Sequence, residues 1–341
     1  MSKQDIKVKT FPINNTHGTY NFRRMGEFEI YSSIGSGLFS HVFRAIPKRK
    51  QISKSSKTFN YIIKIFKKNI LEEKNTSSEA PKKILFFEIG EVSILRQIKN
   101  IGNPNLIKMY DWSIDRKTCE VSVLMEHMPY DLRSYFSIEA NYKTLDEKLL
   151  KKIAFQILNG LNALHKNRII HFDIKPDNIL FDPETNLVKI TDFTLSQYIT
   201  YDTDKKNISN GGTYQYMPVE GLMNSEKYSF KYDIWSVGCI LIELCTRIIP
   251  FNGCDSSSVL DKIKDIYGLN TQTIKNFDDF CKNSMYLEIE KKNIINYIKS
   301  HQKIKFVNDE FYDFVYRMMC INPIHRLNAE EALKHPWLVN N

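Results

Sequence analysis

The chain has 341 residues, 42% of them hydrophobic and 26% charged, which suits about two domains or one two-lobed unit. It contains no apolar run of about 18 residues or more, so a membrane-spanning helix is not expected. Thirteen glycines and 11 prolines are too few for a fibrous or disordered chain. Lys plus Arg outnumber Asp plus Glu by 48 to 39, for a net charge of +9, but with no zinc-finger spacing and no basic zipper that charge is poor ground for direct nucleic-acid binding.

In chain order, residues 1–26 are polar and aperiodic and read as an arm without a secretory signal. Short β-patterned runs then follow one another at 28–34, 40–46 and 59–66. After one helix come two more, at 106–112 and 121–126. Short connections between such runs predict an antiparallel sheet. A hinge is expected at 126–131. Beyond it, Thr144-Leu145-Asp146-Glu147 fits a capping box, and Leu150, Ile153, Ile157, Leu161 and Leu164 form one helical stripe. The stretch 232–246 is apolar on nearly every face and predicts a central helix, and amphipathic patterns return at 259–267, 309–320 and 329–338. The fold class predicted is α+β: a small antiparallel sheet lobe with one main helix over 27–126, and a larger, mostly helical lobe over 132–339. Six scattered cysteines with no C-x-x-C pair read as reduced thiols of a nuclear or cytosolic protein.

Chemistry-bearing residues fall at intervals along this frame. In Ile34-Gly35-Ser36-Gly37-Leu38-Phe39-Ser40-His41-Val42, two glycines allow backbone N–H groups to approach phosphate oxygens. Alone that pattern is a common turn, and because strand follows strand here, a dinucleotide fold is not indicated. Lys64 lies inside an apolar strand pattern and reads either as an edge residue or as a buried cation needing a partner. Glu91 tips that choice toward burial, since it shares a helical stripe with Ile84, Phe87, Leu95 and Ile98 and is itself a carboxylate on an inward face. Pro176 stops helix, so Asp173, Lys175, Asp177 and Asn178 are expected in one tight loop. A further acid, Asp192, follows a strand pattern 19 residues beyond Asp173.

These stations together resemble the eukaryotic protein kinases, whose signature is a glycine loop, a strand lysine, a helix glutamate, H-R-D-x-x-x-x-N, D-F-G and A-P-E in that order. The likeness runs from about Phe28 to Leu338, and the later Glu220, Asp233-Ile234-Trp235-Ser236-Val237-Gly238 and Arg326 agree with it. Within the family the chain looks most like the CMGC group and, closer still, the pre-mRNA-processing kinases and their DYRK and CLK relatives. Met128-Pro129-Tyr130-Asp131-Leu132-Arg133, Val237-Gly238-Cys239-Ile240-Leu241 and an insert-like stretch at about 270–306 carry the group likeness; Gly37 to Val42 and Asp173 to Leu180 carry the closer one.

The resemblance implies ATP and Mg²⁺ as cofactors and transfer of the γ-phosphate to Ser/Thr of protein substrates, splicing factors being one class. It implies that Ile34, Gly35, Ser36, Gly37, Leu38, Phe39 and Ser40 cover the phosphates. Lys64 contacts the α- and β-phosphates and is held by Glu91, Val42 and Leu180 enclose adenine, and Glu126 and Met128 read its edge. Asn178 and Asp192 hold Mg²⁺, Asp173 accepts or orients the substrate hydroxyl proton, and Lys175 neutralises the γ-phosphate. A monomer without membrane association is expected, nuclear or cytoplasmic, the nucleus being favoured by the resemblance alone.

Departures from the pattern support an alternative, a weakly active or inactive pseudokinase serving as a binding scaffold. Ile62, where alanine is usual, and Thr194 motivate it; Phe172, in place of the arginine that pairs with a phosphorylated loop, fits the DYRK, CLK and splicing-kinase branches instead, and Met217, in place of an arginine of the CMGC group, argues against proline-directed substrate choice. Thr194 replaces the glycine after Asp192-Phe193, which predicts a stiffer or shifted turn. Ser40 in place of the third loop glycine is discounted. Tyr198, Thr200, Tyr201, Thr203, Ser209 and Thr213 are the hydroxyl residues of the expected activation loop.

Overall fold

The computed structural model describes residues 19–36, 40–48, 61–66, 85–115, 120–199, 212–224, 228–269, 287–304 and 308–340. Its contacts group into two compact units: Met1–Ile84 with Met109–His127, and Leu85–Lys108 with Met128–Asn341. The chain passes between the units three times, the last time between His127 and Met128.

The first unit is built on a sheet of β1 (Thr19–Phe22), β2 (Gly26–Ser36), β3 (Ser40–Pro47), β4 (Tyr61–Phe66), β5 (Met109–Ile114) and β6 (Val121–Glu126). The order is β1-β2-β3-β4-β6-β5, antiparallel throughout. Alternation along the strands sorts side chains to two faces. Phe22, Phe28, Ile30, Phe43, Ala45, Ile63, Ile65 and Leu124 form one buried cluster, with Phe22 and Phe28 edge to face at 5.9 Å. Each ring so buried contributes about 1.5–3 kcal/mol relative to exposure. Ile62 and Lys64, offset by one residue from Ile63 and Ile65, therefore take the opposite face.

β1 brings into the sheet part of the segment read as an arm. Phe22 is anchored in the cluster, Gly26 makes the return at φ +81°, and the Arg24 N–H donates to the Asp111 carboxylate at 2.7 Å. The β5 run starts at Met109 rather than at 106, because Leu106 instead makes a parallel bridge to Ile190 in the second unit.

The second unit is mostly helical: α1 (Leu85–Ile101), α2 (Leu132–Ser137), α3 (Glu139–Tyr142), α4 (Glu147–Lys166), α5 (Val219–Leu222), α6 (Lys231–Thr246), α7 (Ser256–Tyr267), α8 (Leu287–His301), α9 (Asp309–Met318), α10 (Ala329–Leu333) and α11 (Pro336–Val339). Short strands β7 (Tyr130–Asp131), β8 (Ile169–Ile170), β9 (Ile179–Asp182), β10 (Leu187–Ile190) and β11 (Gln197–Tyr198) pair as β10-β9-β7 and β11-β8. The central helix expected at 232–246 is α6, almost every residue of which is buried. The expected stripe of α4 is fully buried from Leu150 to Leu164.

Two helix boundaries differ from the sequence expectation. The cap of α4 is Asp146, whose carboxylate accepts from the Leu149 N–H at 2.7 Å, while the Thr144 hydroxyl donates to the Asn141 carbonyl and closes α3 instead. The run 329–338 is two helices, not one. Pro336 cannot continue α10 and disfavours helical geometry at His335, so α11 starts afresh under a cap from the His335 ring. Among the described residues no helix is long and apolar enough to cross a membrane.

Candidate active site

β8 delivers the chain into the segment 171–175, which a 3-10 turn at Pro176–Asn178 passes on to β9. Phe172 sits at φ +65°, a region that costs a bulky residue about 1–3 kcal/mol. The conformation is held from beneath by Asp233 in the first turn of α6. This fully buried carboxylate accepts from the N–H groups of His171 and Phe172, both at 3.0 Å, and pairs with His165 Nε2 at 2.9 Å. His171 in turn joins two loops. Its Nδ1 accepts from the Asp173 N–H at 3.2 Å, which places the ring proton on Nε2, where it donates to the Thr191 carbonyl at 2.9 Å. The residue next to Thr191 is Asp192.

Asp173 is the centre of the cluster. Oδ1 accepts from both the N–H and the hydroxyl of Thr213, at 3.0 and 2.8 Å, and Oδ2 meets the Lys175 ammonium at 2.8 Å and the Asn178 amide at 3.0 Å. Lys175 also donates to the Thr213 hydroxyl oxygen at 2.8 Å. The Asn178 amide nitrogen makes a second bond, to the Asp173 carbonyl at 2.8 Å, which leaves its side-chain oxygen as an acceptor on the far side. The Asn178 carbonyl accepts from the Thr191 N–H at 3.0 Å, drawing the Asp192 turn against the same loop.

At that turn the left-handed angle is borne by Asp192, at φ +61°, and not by Thr194. Aspartate tolerates this region far better than a β-branched residue. Thr194 is therefore spared the left-handed strain that a β-branched residue resists. Its hydroxyl instead lies 2.7 Å from Asp192 Oδ1 and 2.8 Å from Oε2 of Glu91, the buried carboxylate of α1. Asp173, Lys175, Asn178, Asp192 and Glu91 are thus brought together within one unit, and Leu180 follows on β9, half exposed beside Asp131 and Lys189.

The remaining candidates lie on the sheet unit, apart from Met128, which follows it in sequence. Ile34, Gly35 and Ser36 are exposed at the end of β2, and Gly35 and Ser36 pair with Val42 and His41 of β3; Gly37, Leu38 and Phe39 lie outside the described residues. Ser40 is buried at the start of β3. Lys64 pairs in register with Val42 and Val123, is only 5% exposed, and stands 5.3 Å from the Phe66 ring centre. The buried alternative for Lys64 is the one observed. Ile62 is also buried, opposite Met125, and Glu126 closes β6 opposite Tyr61.

Two further networks lie in the same unit. Arg326 and Glu220, both essentially without solvent exposure, meet two-on-two at 2.6 and 3.1 Å. The guanidinium also donates to the carbonyls of Cys320, Lys231 and Ile321 and lies 5.1 Å from the Trp235 ring centre. Arg133 of α2 reaches Asp177, Glu243 and the Tyr216 hydroxyl at 2.9, 2.8 and 2.6 Å. Burial, with Glu243 next to it, pushes the Tyr216 phenol well up from its ordinary range.

The model of the protein kinase domain matches residues 28–338. The chain belongs to the protein kinase family. Its relatives include a probable cyclin-dependent serine/threonine-protein kinase of Dictyostelium discoideum, 32% identical over 317 residues. Cyclin-dependent kinase 11 of the same organism is 30% identical over 257, and cyclin-dependent kinase E-1 of Arabidopsis thaliana 28% over 340. These alignments span 92%, 74% and 91% of this chain but 20%, 68% and 66% of the relatives. Relatives named cyclin-dependent kinases, members of the CMGC group, bear out the likeness to that group.

Against the kinase pattern, two replaced arginines come together. Phe172 packs edge-on against Tyr232 and Tyr228, at 5.0 and 6.0 Å, and Met217 is buried. Between them Gly212 sits at φ +132°, where a Cβ would fall 2.6 Å from the Met217 methyl and 3.1 Å from the Phe172 carbonyl. Thr213 was legible only as one of several loop hydroxyls. Its engagement with Asp173 and Lys175 comes from a contact about 40 positions distant in sequence, which no local pattern announces. Of the other loop hydroxyls, Tyr198 is exposed on β11, and Thr200, Tyr201, Thr203 and Ser209 lie outside the described residues.

Proposed function

We propose that the chain is a serine/threonine protein kinase that uses ATP and Mg²⁺ to phosphorylate protein substrates. The observation that carries this reading is the Asp173 carboxylate, fixed on both oxygens by Thr213, Lys175 and Asn178. A carboxylate so oriented can accept or align the proton of an incoming hydroxyl, and an ammonium beside it can neutralise charge developing on a transferring phosphoryl group.

The donor chemistry fits the metal. Asn178 has committed its amide nitrogen to Asp173 and retains an oxygen, Asp192 supplies carboxylate oxygen, and Mg²⁺ favours one or two such hard ligands completed by phosphates and water. Among the described residues no group of three or more His, Cys, Asp or Glu side chains forms a self-sufficient cage, in keeping with an ion shared with a nucleotide. When bound, such an ion would neutralise charge on the nucleotide phosphates. Asn178 and Asp192 would hold it, Asp173 would manage the acceptor proton, and Lys175 would neutralise the γ-phosphate. The expected roles of Lys64, Glu91, the 34–40 segment, Val42, Glu126, Met128 and Leu180 in holding ATP are part of the same proposal.

The scaffold alternative draws least support at Thr194, where the expected backbone conflict is missing. A cyclin is the first partner to test, given the relatives' names, and splicing factors are the substrate class suggested by the closer sequence likeness. Free thiols at Cys239, Cys245, Cys254 and Cys320 suit a nuclear or cytoplasmic site of action. The decisive experiment incubates the purified full chain, alone and with candidate cyclins, with labelled Mg-ATP and mixed protein substrates. Transfer by wild type and loss of about 10²–10⁴-fold in Asp173→Asn is expected. Equal labelling by the two proteins overturns the reading.

A further inference from the structure

We propose that Thr194 is a positioning residue of the transfer site, whose hydroxyl couples the metal-binding carboxylate of Asp192 to the α1 carboxylate of Glu91. The proposal rests on the kinase reading above, which gives Asp192 its role. A glycine, the residue the family pattern has at this place, could make neither bond.

The geometry is specific. One hydroxyl oxygen lies 2.7 Å from Asp192 Oδ1 and 2.8 Å from Glu91 Oε2, so a single proton serves two acids. Carboxylates approaching a common point repel one another, and a shared proton offsets part of that repulsion through charge-assisted bonding. Asp192 is tethered through Oδ1, so rotation of its carboxylate is restricted, and with it the direction in which Oδ2 presents itself. Threonine suits the task because β-branching restricts χ1 and so fixes where the hydroxyl points. Its backbone is not in the left-handed region, so the branched side chain is accommodated without strain. The tether also ties the orientation of a metal ligand to the position of α1, an element distant from it in sequence by about 100 residues. Any displacement of that helix is then felt at Asp192.

The test compares wild type, Thr194→Val and Thr194→Ser as full chains, by calorimetric titration with ADP in the presence and absence of Mg²⁺, a readout that needs no turnover. Valine keeps the shape and removes the hydroxyl; serine keeps the hydroxyl. Loss of a charge-assisted bond should lower the Mg²⁺-dependent gain in ADP affinity about tenfold in Thr194→Val. Metal-free ADP affinity should be unchanged, and Thr194→Ser should behave like wild type. Transfer assays on the same proteins should show the valine defect shrinking as Mg²⁺ is raised. The proposal is overturned if Thr194→Val retains the full Mg²⁺-dependent gain, if serine fails as badly as valine, or if metal-free binding falls in parallel, each of which points to packing rather than to the hydroxyl. A wild type that binds ADP no better with Mg²⁺ than without overturns the kinase reading itself, and this role with it.

Discussion

The helical unit contains two acid–cation pairs that differ in nearly everything but charge. Arg326 and Glu220 are dry, joined two-on-two, and the guanidinium has a carbonyl for each remaining direction. Lys175 and Asp173 meet at one point, keep side-chain exposures of 22% and 11%, and share a hydroxyl. A closed pair can only hold structure in place, because neither partner has a direction left for a third party. The open pair sacrifices that rigidity and remains able to exchange partners with a substrate. Residue type follows the distinction: planar, forked arginine at the closed pair, and a compact, mobile ammonium at the open one.

The largest effect should come from breaking the closed pair. Arg326→Met strands a buried carboxylate and should cost about 3–5 kcal/mol, read from the urea midpoint. The double variant Arg326→Met with Glu220→Leu should recover most of that loss. If single and double variants are equally unstable, packing rather than charge explains the site.

Next, Lys175→Met should lower kcat about 10²–10³-fold while the urea midpoint stays close to wild type. A comparable loss of stability there would erase the contrast between the two pairs.

Glu290 sharpens the dry side of the comparison. It is buried in α8, its Oε2 has no hydrogen-bond partner among the described residues, and burial pushes its carboxyl up to about 7. The folded protein therefore holds this proton more tightly than the unfolded chain does. The stability it contributes is full below the ordinary carboxyl range and is lost as pH rises through about 7. Glu290→Gln should flatten the stability profile between pH 5 and 8, gaining at most about 3 kcal/mol on wild type at the alkaline end. Unchanged curvature in the variant would show that the acid does not titrate there.

The smallest effect is expected of Thr213→Val. It removes one hydroxyl from the open pair but leaves the backbone N–H on Asp173, so stability should fall by about 1 kcal/mol. A larger drop in kcat than in the urea midpoint would mark its role as one of orientation.

Periodicity made the long elements legible. The stripe from Leu150 to Leu164 and the all-round apolar run of α6 needed only local spacing to be read, and both are where they were expected. The two-residue strands β7, β8 and β11 carry no period, since they exist only because a distant partner lies alongside. β1 was missed for a related reason. Four residues with one buried ring are too short a pattern to see until the cluster around Phe28 is in view. In the candidate site the polar types and their order were visible, but the supports were not. Asp233 reaches the 171–172 backbone from about 60 residues away, and Thr194 looked like a liability because Glu91, which its hydroxyl meets, lies about 100 residues away in sequence.

The aromatic seat beneath the 171–172 segment has one more consequence. Contacts among Phe172, Tyr228 and Tyr232 depend on excluded water rather than on opposed charge. Added electrolyte, which weakens a guanidinium's grip on a modified hydroxyl, leaves rings in contact largely untouched. This part of the molecule should therefore keep its form across a range of ionic strength that would loosen a seat built on arginine.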